Sequence, residues 1–257
     1  MKVSILQFEP KFGDVLTNFE IVTGLIESFD AASSDVILLP ELWSTGFYPK
    51  PLEKFSDQNG DKTRNFLTTL ANKYHINIIG GTVIVEVKNN FYNRCFAFNR
   101  QGNLMAEYDK IHLFSMSGEN KVFKAGNEIP IFDIDNTKAS IATCYDIRFP
   151  ELIRAVSLNN ISILFLPAAW PLKRLNHWRI LTRARAIENQ IFVVAANCFG
   201  YSTIIDPWGE VLAEAKSDEK IITVNINLEV CENIKSIMNV FADRHDFKIK
   251  NKNIDIV

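Results

Sequence analysis

Several features that would mark a protein's partners are missing from this chain. Its 257 residues hold 28 Lys+Arg against 30 Asp+Glu, a net charge of −2, so no cationic excess points to nucleic acid or a membrane surface. No apolar run approaches the length of a bilayer span. The start, Met1-Lys2-Val3-Ser4-Ile5-Leu6-Gln7-Phe8-Glu9-Pro10, is interrupted too soon to read as a signal peptide. Cysteine is scarce: Cys95, Cys144, Cys198 and Cys231 stand apart, without metal-ligand or disulfide spacing. A reducing cytoplasm is the compartment this predicts. There is no Pro/Gly/Ser linker, no composition shift and no short internal repeat, so the reading is one domain over 1–257. Hydrophobic residues at 47% and charged residues at 23% fit a soluble globular chain.

Periodicity gives the layout. Lys2 to Phe8 reads as a strand and Val15 to Phe29 as a helix, with Val15, Phe19, Val22, Leu25, Ile26 and Phe29 on one face. Asp35-Val36-Ile37-Leu38-Leu39-Pro40 is a buried strand, and Glu41 follows it at once. A helix is expected over 66–74, a strand over 77–85, and a hairpin over 91–99 and 104–108 around Gln101-Gly102-Asn103. Residues 115–128 read as loop, and strands are expected near 130–134 and 138–143. Strands near 161–167, 191–197, 202–206, 211–214 and 220–226 follow, with a long helix over 175–189 and a tail of helix and irregular chain from Leu228. Alternating strands and helices with interleaved hairpins predict a layered α/β domain, helices outside and sheets inside.

The chain is organised around Thr143-Cys144-Tyr145-Asp146-Ile147-Arg148-Phe149-Pro150-Glu151-Leu152. Pro150 and Glu151 are helix-start signals, so Cys144 is expected where a strand stops and a helix begins. A helix N-terminus there would favour a thiolate. Two readings stand: a nucleophile, or a small buried Cys ending a core strand. Glu41 and Lys110 occupy the same kind of position, just beyond strand ends, and neither is expected in the core. Together the three supply a nucleophile, a base and a cation for a developing oxyanion.

Pro40-Glu41, Asp109-Lys110-Ile111-His112-Leu113-Phe114 and Cys144-Tyr145-Asp146-Ile147-Arg148-Phe149-Pro150-Glu151 resemble the three signature regions of the nitrilase, or carbon-nitrogen hydrolase, superfamily. His177-Trp178, Arg183-Ala184-Arg185-Ala186-Ile187-Glu188-Asn189 and Ile205-Asp206-Pro207-Trp208-Gly209-Glu210 extend the resemblance in order over nearly the whole chain. It implies a four-layer αββα sandwich, assembly as a homodimer or larger, and no metal or organic cofactor. It implies Glu41 as general base, Lys110 as oxyanion stabiliser, Cys144 as nucleophile and the Tyr145 backbone N–H as a second oxyanion donor. Glu119 fits a second Glu that many members carry after the Lys motif; the other reading is a loop charge. Tyr145-Asp146 in place of the Trp-Glu of nitrilases argues for amides, and the set looks most like the omega-amidase branch, which acts on 2-oxoglutaramate or 2-oxosuccinamate. Carbamoyl amino acids and simple aliphatic amides are the alternative substrates.

Arg148 matches an Arg that holds the substrate carboxylate in carbamoylase relatives; the competing reading is an ion pair with Asp146 or Glu151. Trp170 reads as pocket lining or as core. His177 is expected to be packed beside Trp178, and Arg183 and Arg185 to be ion-paired or solvated. One departure stands out: the Gly-rich loop before the Asp-Pro-Trp-Gly strand is shortened at Asn197-Cys198-Phe199-Gly200-Tyr201. Two other classes remain in play. A metal phosphoesterase would need clustered ligands, for which Asp243-Arg244-His245-Asp246 is the candidate. A non-catalytic binding module on the same fold would not need the Glu-Lys-Cys set.

Overall fold

Burial sorts the strands before topology does. The computed structural model describes residues 1–29, 33–218 and 220–247. In chain order the elements are β1 (Lys2–Leu6), α1 (Val15–Glu27), β2 (Val36–Leu38), β3 (Asp57–Gln58), α2 (Asp61–Tyr74), β4 (Asn77–Val87), β5 (Asn90–Phe98), β6 (Leu104–Asp109), β7 (Ile131–Ile134), β8 (Thr137–Ile141), α3 (Pro150–Ser157), β9 (Ile163–Ala168), α4 (Leu175–Asn189), β10 (Phe192–Asn197), β11 (Thr203–Ile205), β12 (Val211–Glu214), β13 (Ile221–Asn225) and α5 (Glu229–Ile237). Every residue of β2, β9 and β10 is buried. Such continuous apolar runs belong to parallel strands covered on both faces. By contrast β12, at a sheet edge, exposes Val211 and Leu212.

Two sheets result. One has the order β13-β1-β2-β4-β5-β6, with β3 added beside β4; the other runs β12-β11-β10-β9-β8-β7. Alternation along each strand divides three layers of core. Val3, Ile5, Val36 and Leu38 meet Ile141, Ile163, Phe165 and Val194 between the sheets. Leu6, Ile37 and Ile78 point the other way, onto Val22 and Ile26 of α1 and Leu67 and Leu70 of α2. Leu164, Leu166 and Val193 face Ile153 and Val156 of α3 and Trp178 and Ala186 of α4. Helix, sheet, sheet, helix is a four-layer αββα sandwich, and each buried aliphatic side chain contributes about 1.5–3 kcal/mol to it.

One local expectation needs correction. Helix α2 begins at Asp61, not near Phe66. Its first turn is polar and carries no apolar period, but the Asp57 carboxylate accepts the N–H groups of Lys62 and Thr63 and caps it. Helix α3 starts at Pro150, where the Pro-Glu signal places it, and a 3-10 turn over Cys144–Arg148 fills the step between β8 and that helix. The tail helix is α5 and irregular chain follows it over 238–247, as expected; 248–257 lie outside the described residues.

Both sheets direct their parallel strands so that the segments after β2, β8 and β9 emerge together. One glycine makes that junction possible. Gly81, at a register shift in β4, has φ +57, and a Cβ there would sit 2.1 Å from the Pro40 carbonyl oxygen. The bare backbone lets Thr82 N–H reach Pro40 O at 3.1 Å and the Thr82 hydroxyl accept the Leu42 N–H at 2.9 Å. These bonds hold the chain on either side of Glu41.

Candidate active site

Glu41, Lys110 and Glu119 reach one point from the end of β2, the end of β6 and the loop beyond it. The Lys110 ammonium donates to Glu41 Oε1 at 2.8 Å and to Glu119 Oε1 and Oε2 at 3.0 and 2.8 Å. All three are core residues, with Glu41 and Lys110 1% exposed and Glu119 fully buried, contrary to the expectation that Glu41 and Lys110 lie outside the core. Strand ends covered by other loops are interior even though the local pattern reads as polar. Burial alone pulls the Lys110 ammonium down, but the charges of Glu41 and Glu119 more than offset it and hold it up. Glu119 is fixed further by the Phe114 N–H at 2.6 Å, and Glu41 Oε2 by the Ala169 N–H at 2.8 Å, across from β9.

Sequence reasoning missed the fourth member. Asn93 lies within β5, and its side-chain N–H2 donates to Glu41 Oε1 at 2.9 Å and to Glu119 Oε1 at 3.0 Å. Its backbone carbonyl accepts the Lys110 N–H. With Arg94 beside Asn93 in a mixed strand, nothing local in the sequence marks it. Asp146, expected as a motif residue or as an ion-pair partner of Arg148, has a different role. It is fully buried and accepts from the Thr143 and His112 N–H groups, from the Tyr108 hydroxyl at 2.6 Å, and lies 2.8 Å from His112 Nδ1. Burial, and then the Asp146 charge, push the Tyr108 phenol well up, so it remains a donor. His112 stacks on Phe149, with ring centroids 3.5 Å apart. Asp146 thus ties the Lys110 segment to the Cys144 turn.

Cys144 itself has φ +46, the left-handed region that a side chain rarely adopts. The strained turn at the end of β8 aims the thiol toward Glu41 and the Ala169 N–H. The expectation of a thiolate held by a helix N-terminus is not met. Burial pushes the Cys144 thiol well up and the Glu41 charge adds to that; Lys110 and the Ala169 N–H pull it down and are outweighed. Two carboxylates against one ammonium already leave the cluster net negative, so the resting sulfur is a thiol beside a carboxylate.

A cavity of about 200 Å³ opens over this sulfur, lined among others by Phe114, Tyr145, Arg148, Trp170, Arg174 and Phe199. Arg148 does not pair with Asp146, which is fully used, or with Glu151. Its Nη2 lies 3.2 Å from His177 Nδ1, and its guanidinium sits 4.7 Å from the Trp170 ring. Trp170 is 3% exposed yet lines the cavity, so both readings of it hold. His177 is exposed and serves Arg148 rather than packing in the core. Arg185 pairs with Glu188, and Arg183 donates to the Gly209 carbonyl.

The 197–201 loop forms the adjoining rim, with Phe199 in the cavity lining. Asn197 stitches it: Oδ1 accepts the Trp170 N–H at 2.7 Å, and Nδ2 donates to Trp170 O and Gly200 O. Gly200 has φ +100, and a Cβ there would lie 2.9 Å from Ser217 Cα, so the tight path needs glycine. Asp243, His245 and Asp246 are exposed beyond α5 and take no part in the cluster. Among the described residues, no group of three or more His, Cys, Asp or Glu is arranged to hold a metal ion. No described helix is long and apolar enough to cross a membrane.

Comparison with known proteins meets this geometry from outside. A 2-oxoglutaramate amidase of Bacillus subtilis (strain 168) is 38% identical over 250 residues, covering 94% of this chain and 96% of that protein. An omega-amidase of Homo sapiens is 30% identical over 227 residues, covering 81% and 82%. In a crystal structure of a superfamily protein from Xanthomonas campestris, which carries an arsenic adduct in its active site, the fold superposes with a TM-score of 0.88 at 27% identity, covering 97% of this chain and 98% of that one. The family model for carbon-nitrogen hydrolase matches residues 2–236, from β1 into α5, and the chain belongs to that family of enzymes.

Proposed function

We propose that the protein is a thiol amidohydrolase that cleaves the terminal amide of a small carboxylate-bearing substrate such as 2-oxoglutaramate, with the whole chain acting as one domain. The observation that carries this is a buried thiol beside Glu41, itself fixed by Lys110, Asn93 and the Ala169 N–H. Because the sulfur is protonated at rest, ionisation accompanies attack. Cys144 Sγ bonds to the amide carbon as Glu41 takes the thiol proton. Charge develops on the carbonyl oxygen, and Lys110 and the Tyr145 backbone N–H stabilise it. All three ammonium N–H bonds of Lys110 are occupied at rest, but two go to one carboxylate. Opening one Glu119 contact frees a donor without breaking the pair. Glu41 returns its proton to the leaving nitrogen, the C–N bond breaks, and ammonia departs from a thioester. Glu41 then deprotonates water, water adds to the thioester carbon, and the thiol leaves with the proton.

Glu119 and Asn93 touch no reacting atom in this scheme; they hold Lys110 and Glu41 in place. Four buried cysteines without disulfides support a reducing, cytoplasmic setting. Exposed Ile180 and Ile187 on α4, together with exposed Trp208, Val211 and Leu212, support a homodimer that covers them. Ammonia release from 2-oxoglutaramate by wild type and Cys144→Ala, with mass spectrometry of quenched enzyme, tests the reaction. Turnover is lost in Cys144→Ala, survives replacement of Cys95, Cys198 or Cys231, and leaves an acyl adduct on the Cys144 peptide. An adduct elsewhere would overturn the assignment.

A further inference from the structure

Two half-buried guanidinium groups line the cavity and, among the described residues, no carboxylate is paired with either. Arg174, in a 3-10 turn over Leu172–Arg174, lines the cavity with Arg148. Its guanidinium lies 5.1 Å from the Phe114 ring, as that of Arg148 lies 4.7 Å from Trp170. Aromatic faces steady cations without neutralising them. Each stacked fork keeps edge N–H donors for an anion, and two like charges lining one small cavity are a standing cost unless an anion visits.

The two are also built as a unit. The Arg174 carbonyl accepts the Trp170 indole N–H at 2.8 Å, so the backbone of one arginine fixes the ring beneath the other. The Trp170 N–H is held in turn by Asn197, at the foot of the tight rim loop. His177 Nδ1 occupies one Arg148 nitrogen and leaves the rest of its fork.

We propose that Arg174 and Arg148 form a two-guanidinium clamp that takes one carboxylate of the substrate at the cavity mouth while the amide end lies over Cys144. The clamp makes Arg174 a specificity-determining residue for anionic amides. It also disfavours amides that carry an ammonium beside that carboxylate, since two fixed cations face it. This rests on the amidase reading for the place of the amide, but binding tests it without turnover.

The experiment uses full-length Cys144→Ala, titrated calorimetrically with 2-oxoglutaramate and with pentanamide, a neutral amide of equal chain length. Adding Arg174→Ala lowers the preference for the charged ligand, expressed as the ratio of the two Kd values, at least tenfold. Arg174→Lys recovers part of it, because it keeps the charge but not the fork. No measurable binding of 2-oxoglutaramate to Cys144→Ala, or a change of the ratio below tenfold, overturns the clamp. Ammonia release by enzyme with Cys144 intact is read separately. Its absence on both amides overturns the amidase reading while the binding comparison still decides the clamp.

Discussion

The two ends of the cavity are opposites in how their charges are treated. Around Glu41 every charge is buried and answered: Lys110 by two carboxylates, Glu119 by Lys110, Asn93 and a backbone N–H. At the mouth, Arg148 and Arg174 are half-buried and rest on rings and an imidazole. A buried charge without a partner is costly, so groups kept in the interior must satisfy one another before any substrate arrives. Half-buried guanidiniums tolerate vacancy because water reaches them. The inner end is therefore preorganised for chemistry and the outer end is left open for recognition.

The largest effect should come from breaking the inner end. Lys110→Ala removes the shared cation from two buried carboxylates, so stability falls by about 3–5 kcal/mol in urea unfolding, and kcat by at least ~10²-fold. Arg148→Ala should change stability by no more than ~0.5 kcal/mol. Equal destabilisation by the two variants would erase the distinction.

Recognition gives the next effect. Arg148→Ala should raise KM for 2-oxoglutaramate far more than it lowers kcat/KM for pentanamide, a difference of ~2 kcal/mol, the scale of a charge-assisted bond. Parallel losses on both amides would make Arg148 a fold residue.

A positioning residue comes third. Asn93→Ala should lower kcat roughly tenfold, the scale of one lost charge-assisted hydrogen bond. Asn93→Asp replaces a donor to Glu41 and Glu119 with a third carboxylate and should cost more rate than Asn93→Ala. Wild-type kcat with lowered stability in Asn93→Ala would assign Asn93 to folding alone.

The smallest effect is an alkaline one. Burial pushes the Cys231 thiol from its ordinary 9.0 up to about 11, and pushes Cys95, Cys144 and Cys198 up as well. Raised folded values mean that the native chain holds these protons more tightly than the unfolded chain. Their stabilising contribution is complete below pH ~9 and is lost as pH climbs through the folded values. The urea midpoint should fall between pH 9.0 and about 11 (the range set by those values), and Cys231→Ala should flatten part of that fall. A midpoint that holds steady over this range would contradict the assignment.

How much of this the sequence disclosed follows from what is local. β2 and β9 are uninterrupted apolar runs, and β8 opens on Thr137-Lys138 but ends buried, so the end of each, and the residue just past it, can be read from a few letters. Glu41 and Cys144 are legible for that reason, and the family's ordered motifs add Lys110 and Glu119. Asn93 is not, because its position under two carboxylates depends on how β5 registers against β4 and β6, with Arg94 opposite Asp109. Arg174 is hidden in a surface-like Pro171-Leu172-Lys173-Arg174 turn, while attention falls on the helical Arg183 and Arg185. The protonated Cys144 is hidden too. A helix-start signal at Pro150 suggests a positive setting, but the field at the sulfur is governed by burial and by a carboxylate from β2, 103 positions away by the difference of 144 and 41.

The charge asymmetry also bears on how the enzyme empties itself. Hydrolysis turns a neutral amide into a second carboxylate, and it does so against the net negative cluster of Glu41, Glu119 and Lys110. The clamp still attracts the distal end, yet the newly made end is now repelled by the residues that made it. Such a product is a poor occupant, so the diacid should inhibit weakly even when it accumulates. Departure is favoured by the reaction's own change of charge.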